Sequence, residues 1–217
     1  MPLRTVIDAL RRSGRVERIV VVGPAEIHAA AADADELVAE HPSGHENLFA
    51  GLVAVQSRRV LVTASDLPFV AGHHISELLD LVAEEVAFAY PIYRREEFLA
   101  HFPAGRRRFA RADGAHWTGG SLCVVDRALA QRHRSLIRKG FESRKSVLAL
   151  ASLFGVGITL RALAGSVRIT DVERRLSRMV GAPAQAIRGA HPALAMDCDD
   201  TADLEYVRRV SGDLSPT

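Results

Sequence analysis

The sequence predicts an α/β fold in which a mostly parallel sheet is flanked by helices. The strongest evidence is the segment from Val60 to Val70, where an apolar, β-branched run stops at an acid and then a proline. Residues 60–64 suit a strand covered on both faces, and Pro68 cannot donate to a ladder, so pairing should end by Leu67. A second observation is the alternation of strand-like and helix-like segments. The third is composition: 48% hydrophobic but 6% aromatic residues favour aliphatic helix-on-sheet packing.

In the first half of the chain, apolar residues recur with helical spacing in four segments and form short strand-like runs in three. The predicted helices cover 2–13, 27–40, 46–56 and 73–84. The predicted strands cover 18–22, 60–64 and 86–90. Gly14 ends the first helix, Gly23-Pro24 ends the first strand, and a polar, glycine-containing turn over 41–45 precedes the third helix. This order is typical of βαβ units.

In the second half, the pattern loosens from Pro91 to Gly120 into charged, turn-rich sequence, which suits a lid or substrate-binding excursion. Strands are then predicted over 122–125, 157–162 and 166–170. Helices are predicted over 126–138, 145–153 and 171–180. Asp200 or Thr201 can cap a terminal helix. Without internal repeats, residues 1–217 are predicted to form a single domain with 91–120 as the excursion.

Charge and cysteine content indicate an intracellular protein. The net charge is +2, and the two cysteines lack a CxxC spacing, so neither a disulfide framework nor a cysteine-rich zinc site is indicated. There is no basic-then-apolar signal region, and no apolar run approaches the ~20 residues of a membrane span. We therefore expect a cytoplasmic protein with no membrane partner.

Two acids are the first candidates for catalysis. Asp66 and Asp199 both follow apolar runs and precede helices, so both could lie at the same edge of the sheet. Ligands in open α/β sheets bind just beyond the carboxyl ends of strands. Two carboxylates there can hold one Mg²⁺ beside a triphosphate, because Mg²⁺ prefers oxygen ligands and shares its shell with phosphate and water. Either acid could equally be an ordinary helix-capping or loop residue.

Several segments together resemble one family. They are Val60–Val70, Arg107-Arg108, the HWTGGSL segment, Arg144-Lys145 and the closing MDCDDTADL segment. Over almost the whole chain these resemble the MobA-like NTP transferases, nucleotidyltransferases related to the molybdenum-cofactor guanylyltransferases. The resemblance implies a Rossmann-like, glycosyltransferase-A-like sheet. It places the strand-end acid on Asp66 and the second metal acid on Asp199, although Thr201 replaces the usual proline.

The same resemblance implies further site residues. Nucleotide contacts would lie near Gly23, Pro24, Glu46 and Asn47, and substrate contacts near Thr118, Gly119 and Gly120. Arg107, Arg108 and Lys145 are the candidates for the acceptor's phosphate. The glycines would let backbone amides approach a ligand, but a plain turn before the strand at 122 also explains them. Ser121 stands where many relatives have asparagine.

Other chemistries fit the sequence less well. The run Asp197-Cys198-Asp199-Asp200-Thr201 mimics the nucleophile motif of haloacid-dehalogenase-type phosphatases, but that motif follows an early strand and only 16 residues follow it here. The arginines at 106–108 and 111, with Phe109 and Trp117, could form an RNA-binding patch, yet a solvated or phosphate-facing loop is favoured and no nucleic-acid partner is expected. The nine histidines have no HExxH spacing, and no GxGxxG follows a strand.

One hallmark of the family is missing from this sequence. Relatives have a first strand followed by a Gly-Gly…Arg-x-Gly…Lys loop, which cradles the triphosphate. Here residues 1–14 match the helix that follows that loop, so roughly 20 residues and the first strand are expected to be absent, whether through a wrong start site, truncation or loss. The strands at 18–22 and 60–64 should then flank a gap or pair directly.

The sequence therefore leads to one main hypothesis and one rival. The main hypothesis is a Mg²⁺-dependent transfer of NMP from a nucleoside triphosphate to a phosphorylated small-molecule acceptor, with release of pyrophosphate. Asp66 and Asp199 would hold the metal. The rival is a catalytically inactive paralogue or truncated form that binds a nucleotide or a partner protein. The sequence predicts no particular base, acceptor or oligomeric state.

Overall fold

A computed structural model describes residues 2–143 and 153–213, and it confirms the α/β class. Within these residues the chain forms two sheets flanked by helices, one of two strands and one of six. None of the helices in this part of the chain has the length and hydropathy needed to cross a membrane. Both cysteines, Cys123 and Cys198, are free and partly buried.

The smaller sheet follows the first helix. Helix α1 (Pro2–Arg12) buries one apolar face, as its spacing predicts. Gly14 then adopts a left-handed φ of 66°, which glycine reaches at little cost, and the helix ends. Strand β1 (Val20–Gly23) pairs in parallel with β2 (Glu36–Ala39).

The predicted helix over 27–40 is wrong. That stretch forms a short 3-10 helix (Ala25–Ala30) and then β2. Asp35 explains the difference, because its carboxylate accepts the Ile19 N–H at 2.6 Å and pairs with Arg11 at 2.8 Å. These contacts fix the chain beside β1 where β2 begins, and strand pairing outweighs the helix propensity of the alanines.

The larger sheet is mixed. Helix α2 (Gly44–Ala54) packs against the small sheet and leads to β3 (Arg59–Thr63), and helix α3 (Gly72–Asp80) leads to β4 (Phe88–Arg94). Strands β3 and β4 are both antiparallel to β7 (Leu122–Asp126), which lies between them, so β3 and β4 run in the same direction. Strand β8 (Ala184–Ile187) pairs in parallel with the other edge of β4.

The predicted excursion over 91–120 contains regular structure. After the end of β4 come helix α4 (Arg95–His101) and a hairpin of β5 (Ala110–Ala112) and β6 (Ala115–Gly119). The hairpin turn is Asp113-Gly114, where both residues have positive φ, as the tight hairpin turn requires. Strands β6 and β7 lie along the same edge of β4 and are separated by a bulge at Gly120-Ser121.

The C-terminal part corrects two further predictions. Its helices are α5 (Arg127–Arg132), α6 (Arg134–Ser143), α7 (Val156–Leu163), α8 (Ile169–Val180) and α9 (Thr201–Asp213). The strands predicted over 157–162 and 166–170 are wrong: the first is helix α7, and the second is a loop that leads into α8. Strand β8, whose short AQAI sequence has little β propensity, occupies the position beside β4 instead. The helix predicted over 145–153 falls almost wholly outside the described residues.

The two sheets share one apolar core but do not join. Buried residues of α1, β1, β4 and β7 belong to a single hydrophobic cluster. Yet β1 pairs only with β2, and β3 pairs only with β7, among the described residues. Between β1 and β3 lies a cavity of about 1250 Å³, which we call the inter-strand slot; α1, α2, β1 and β3 all contribute to its walls. Because of the slot, β3 is not the fully covered strand that its sequence predicts.

Candidate active site

Asp66 lies just beyond the carboxyl end of β3. The Ala64 N–H donates to the Ser121 carbonyl at 2.8 Å, which ties the end of β3 to the bulge beside β7. Leu67, directly after Asp66, is fully buried in the core. The anchor on each side fixes the backbone at Asp66, so this acid is held at the sheet edge where the sequence places it.

The acidic tail meets Asp66 at this edge. A 3-10 helix (Pro192–Ala195) and Met196 are all buried, and they deliver the segment 197–199 to the surface. The Cys198 N–H then donates to the Asp66 carbonyl oxygen at 3.1 Å. Two acidic segments more than 130 residues apart in sequence are therefore neighbours in space.

The carboxylate of Asp66 lies in an unfavourable electrostatic environment. Burial raises its pKa, and the negative charges of Asp197 and Asp199 raise that pKa further. Its Oδ1 atom is buried and has no hydrogen-bond partner among the described residues. A buried carboxylate oxygen without a partner is costly, and a cation would satisfy it.

Asp197 is the site residue that the sequence analysis did not select. Its Oδ1 pairs with the Arg107 guanidinium, and its Oδ2 accepts a hydrogen bond from the Ser121 hydroxyl at 2.5 Å. Arg107 also donates to the Gly119 carbonyl at 2.9 Å. The spacing from Asp199 was a usable signal, since residues two apart in an extended segment project to the same side. The ion pair between Asp197 and Arg107 could not be predicted from the sequence, because ninety residues separate them.

The remaining acids of the tail divide into capping and free groups. Asp200 accepts the Asp203 N–H at 2.9 Å, which caps α9 as predicted, and it pairs with Arg106 at 2.8 Å. Asp203 is buried, and its Oδ2 accepts the Asp199 N–H at 3.2 Å. Asp199 itself is exposed, and its carboxylate has no ion pair or hydrogen bond within the described part of the chain. Asp199 is thus the acid most available to an incoming ligand.

The glycine pair beside the site has a packing role. A Cβ on Gly119 would collide with the Tyr90 hydroxyl oxygen, and one on Gly120 would lie 2.7 Å from Pro91. The Gly120 N–H already donates to the Pro91 carbonyl at 2.8 Å, and the Gly120 carbonyl accepts the Tyr90 hydroxyl at 2.7 Å. The neighbouring Thr118 is buried. The glycines therefore permit a tight bulge, and the Gly120 amide is not free to bind a ligand.

The other predicted site residues lie at varied distances from this edge. Glu46 and Asn47 belong to the start of α2. The Ser43 hydroxyl donates to the Glu46 carboxylate at 2.6 Å, and the side-chain Oδ1 of Asn47 accepts the His41 N–H at 2.6 Å. Asn47 lines the inter-strand slot, as does Ser65 beside Asp66. The other four are placed as follows: Gly23 and Pro24 at the end of β1, Arg108 on the surface without an ion pair among the described residues, and Lys145 outside the described residues.

The donor set suits a hard cation that keeps other ligands. Among residues 2–143 and 153–213, no group of three histidine, cysteine or acidic side chains is arranged to hold a metal alone. Mg²⁺ does not require one, because it commonly binds through one or two carboxylates together with water and substrate phosphates. Asp66 and Asp199 are the two that would hold it, since both Asp197 oxygens are already paired.

Two comparisons with known proteins found transferases. The family model of the MobA-like NTP transferase domain matches residues 2–154. A structure described as a hypothetical transferase from Thermus thermophilus is 31% identical, with a TM-score of 0.84, covering 93% of this chain and 85% of that one. No curated protein matches the chain.

Two more distant structures share the fold. A 2-C-methyl-D-erythritol 4-phosphate cytidylyltransferase, also from Thermus thermophilus, is 14% identical with a TM-score of 0.59, covering 98% of this chain and 89% of that one. A CMP:2-keto-3-deoxy-manno-octonic acid synthetase complexed with CTP is 12% identical with a TM-score of 0.57, covering 98% and 88%. At these identities the likeness is one of fold.

Proposed function

This chain belongs to the MobA-like NTP transferase family, and from that premise we propose that its site transfers an NMP group from a nucleoside triphosphate to a phosphorylated small-molecule acceptor. An acceptor phosphate oxygen would attack the α-phosphorus in line. The bond from that phosphorus to the bridging oxygen of the β-phosphate would break, and pyrophosphate would leave. The observation that carries the proposal is the unpaired, buried Oδ1 of Asp66 beside the acidic tail.

We assign the metal to Asp66 and Asp199. When bound, Mg²⁺ would neutralise charge on the triphosphate and on the pyrophosphate that leaves. The raised pKa of Asp66 fits this role, because a carboxylate that is poorly satisfied without a cation gains most from binding one. Arg107 and Ser121 hold Asp197 in place, so Asp197 acts as a positioning residue that keeps the tail against Asp66.

The acceptor would approach from the arginine-rich side of the site. Arg108 is exposed and has no ion pair among the described residues, so its guanidinium is available to a phosphate. Arg107 is already engaged by Asp197 and Gly119, which makes it a weaker candidate for direct phosphate contact. A planar guanidinium suits phosphate because it donates two parallel hydrogen bonds.

The open slot favours a second candidate function, in which the chain binds a nucleotide without transferring anything. The sequence has no Gly-Gly…Arg…Lys loop after a strand, and such amides and basic groups typically contribute orders of magnitude to the rate. The slot runs to Ser65, next to Asp66, so the side of the site where a triphosphate would bind is open. If this second function is the correct one, residues 1–217 should bind a nucleotide with little or no turnover.

Labelled nucleoside triphosphates separate the two functions. Each is incubated with Mg²⁺ and a panel of phosphorylated sugars and alcohols, while pyrophosphate release and label transfer are followed. Asp66→Asn should abolish any transfer, and Asp33→Asn, at an exposed acid away from the site, should leave it unchanged. Metal-dependent binding without transfer supports the second function, and neither binding nor transfer would rule out both.

A further inference from the structure

A second cavity lies between helix α8 and the face of the larger sheet that this helix covers. Its volume is about 180 Å³, and it is distinct from the inter-strand slot, although Tyr90 borders both. Apolar side chains of β4, β6 and α8 form most of its lining: Phe88, Tyr90, Ile92, Trp117, Ile169 and Val172. An apolar cavity of ~150 Å³ is large enough for a benzene-sized molecule. This space, which we call the α8 cavity, can therefore hold one six-membered ring.

Trp117 brings two positive charges to one side of the α8 cavity. The guanidinium carbons of Arg94 and Arg188 lie 5.4 and 5.3 Å from the centroid of its ring. Both arginines are exposed, and Arg94 has no ion pair in the described part of the chain. Arg188 contacts Asp113 at 3.4 Å, a long distance for a charged pair, so this contact is weak. Both guanidiniums are thus available to a carboxylate, which arginine binds through parallel hydrogen bonds.

The opposite side of the cavity carries hydrogen-bond acceptors. Strand β6, which contains Trp117, pairs with one edge of β4, and β8 pairs with the other edge. On the β8 side, Gln185 lines the cavity, and its side-chain Oε1 is buried without a hydrogen-bond partner among the described residues. Glu173 also lines this side, and its Oε1 accepts the Ala186 N–H at 2.8 Å. Since a buried acceptor without a donor is costly, this side favours a ligand that donates a hydrogen bond and disfavours an anion.

We propose that the α8 cavity binds a small aromatic hydroxy acid. Its ring lies among the apolar side chains, its carboxylate binds Arg94 and Arg188, and a hydroxyl at the opposite end of the ring donates to Gln185 Oε1. The backbones of β6 and β8 are about 9–10 Å apart, because β4 lies between them, and one ring with a polar group at each end suits this width. The proposal is independent of the transferase function, because Asp66, Asp199 and Arg108 do not line the cavity.

Para-hydroxybenzoate is the probe, and three close analogues separate the contributions to its binding. Isothermal calorimetry and ligand-observed NMR measure binding to the unmodified protein without nucleotide or metal. We expect one site per chain with a Kd of about 1 mM or tighter. Para-hydroxybenzyl alcohol and para-hydroxybenzylamine should each bind about tenfold or more weakly, because neither has a carboxylate for the arginines. Benzoate should bind about threefold or more weakly, since it leaves the Gln185 oxygen without a donor.

Two kinds of variant locate the ligand. Arg94→Gln and Arg188→Gln should each weaken para-hydroxybenzoate binding about threefold to tenfold without affecting the alcohol, because each removes one charged donor. Arg95→Gln is the matched control: this exposed arginine follows Arg94 but lies over Phe109, and its loss should change nothing. Ala186→Leu and Val172→Phe fill the cavity from β8 and from α8, and each should abolish binding of the acid and the alcohol.

Four outcomes would overturn the proposal. The first is no saturable binding of para-hydroxybenzoate. The second is equal affinity for the acid and the alcohol, which would make the cavity a purely apolar site. Tighter binding of the amine would show that Glu173 sets the ligand charge. Binding that survives in both cavity-filling variants would place the acid on the protein surface. Thermal unfolding shows whether each variant folds, and the exposed Arg94→Gln and Arg188→Gln still test the proposal if the cavity-filling variants do not.

Discussion

Arg107 and Arg106 offer a matched test of how the acidic tail is held. Each pairs with an aspartate of the tail, but the side chains of Arg107 and Asp197 are 15% and 16% exposed, whereas those of Arg106 and Asp200 are 62% and 51% exposed. Arg107→Met removes the ion pair and the hydrogen bond to the Gly119 carbonyl. Among the described residues, the largely buried Asp197 carboxylate is then left with Ser121 as its one donor. We expect a loss of about 2–4 kcal/mol in the free energy of unfolding.

Arg106→Met should lose less than about 1 kcal/mol, because solvent screens an exposed pair. Urea unfolding of the wild type and both variants at neutral pH measures the difference. In the double variant Arg107→Met/Asp197→Asn, part of the lost free energy of unfolding should be recovered, because the unpaired, largely buried carboxylate has been removed. Equal losses for Arg106→Met and Arg107→Met, or no recovery, would refute the claim that Arg107 anchors the tail.

Three further predictions concern stability. Burial lowers the pKa of His74 to about 4, below the ordinary 6.5. The stability linked to this residue is therefore present above pH 6.5 and is lost as the pH falls towards 4. Urea unfolding should show a loss of up to ~3 kcal/mol in the free energy of unfolding over this range, and a smaller loss in His74→Gln. Gly119→Ala should cost about 1–3 kcal/mol through its clash with Tyr90, whereas Gly140→Ala, in helix α6 with open space around it, should gain about 0.5–1 kcal/mol. Asp66→Asn should raise the melting temperature at pH 7. The pKa of Asp66 is higher in the folded than in the unfolded state, so at pH 7 its ionised carboxylate destabilises the folded protein. A lower melting temperature would contradict this.

The parts of the fold that local pattern determines were predictable from the sequence. The apolar run at 60–64, followed by Pro68, predicted a strand end with an acid just beyond it, and Gly14 predicted the end of α1. The structure has both features. The stretch 27–40 was not predictable, because the contacts of Asp35 with distant residues convert an alanine-rich helix former into a strand. Strand β8 is short, and its pairing with β4 is a long-range event.

The proximity of Asp66 to the acidic tail was predictable from the sequence, but the contacts within the candidate site were not. Asp66 and Asp199 came from their positions after apolar runs, and the two segments do meet through the Cys198 amide. The ion pair that immobilises Asp197 joins residues ninety apart, and nothing local to either one indicates it. Gly119 and Gly120 could equally have been ligand-binding or packing residues. Their contacts with Tyr90 and Pro91 show the packing role.

Titration with Mn²⁺ as a spectroscopic substitute for Mg²⁺ tests most directly whether Asp66 and Asp199 hold a divalent cation. Electron paramagnetic resonance counts the free Mn²⁺ as protein is added in the presence of a nucleoside triphosphate. We predict that one Mn²⁺ per chain is bound more tightly than by the nucleotide alone, with affinity reduced about tenfold or more in Asp66→Asn and in Asp199→Asn but unchanged in Asp33→Asn. Equal affinity in all four proteins would contradict the assignment of this site.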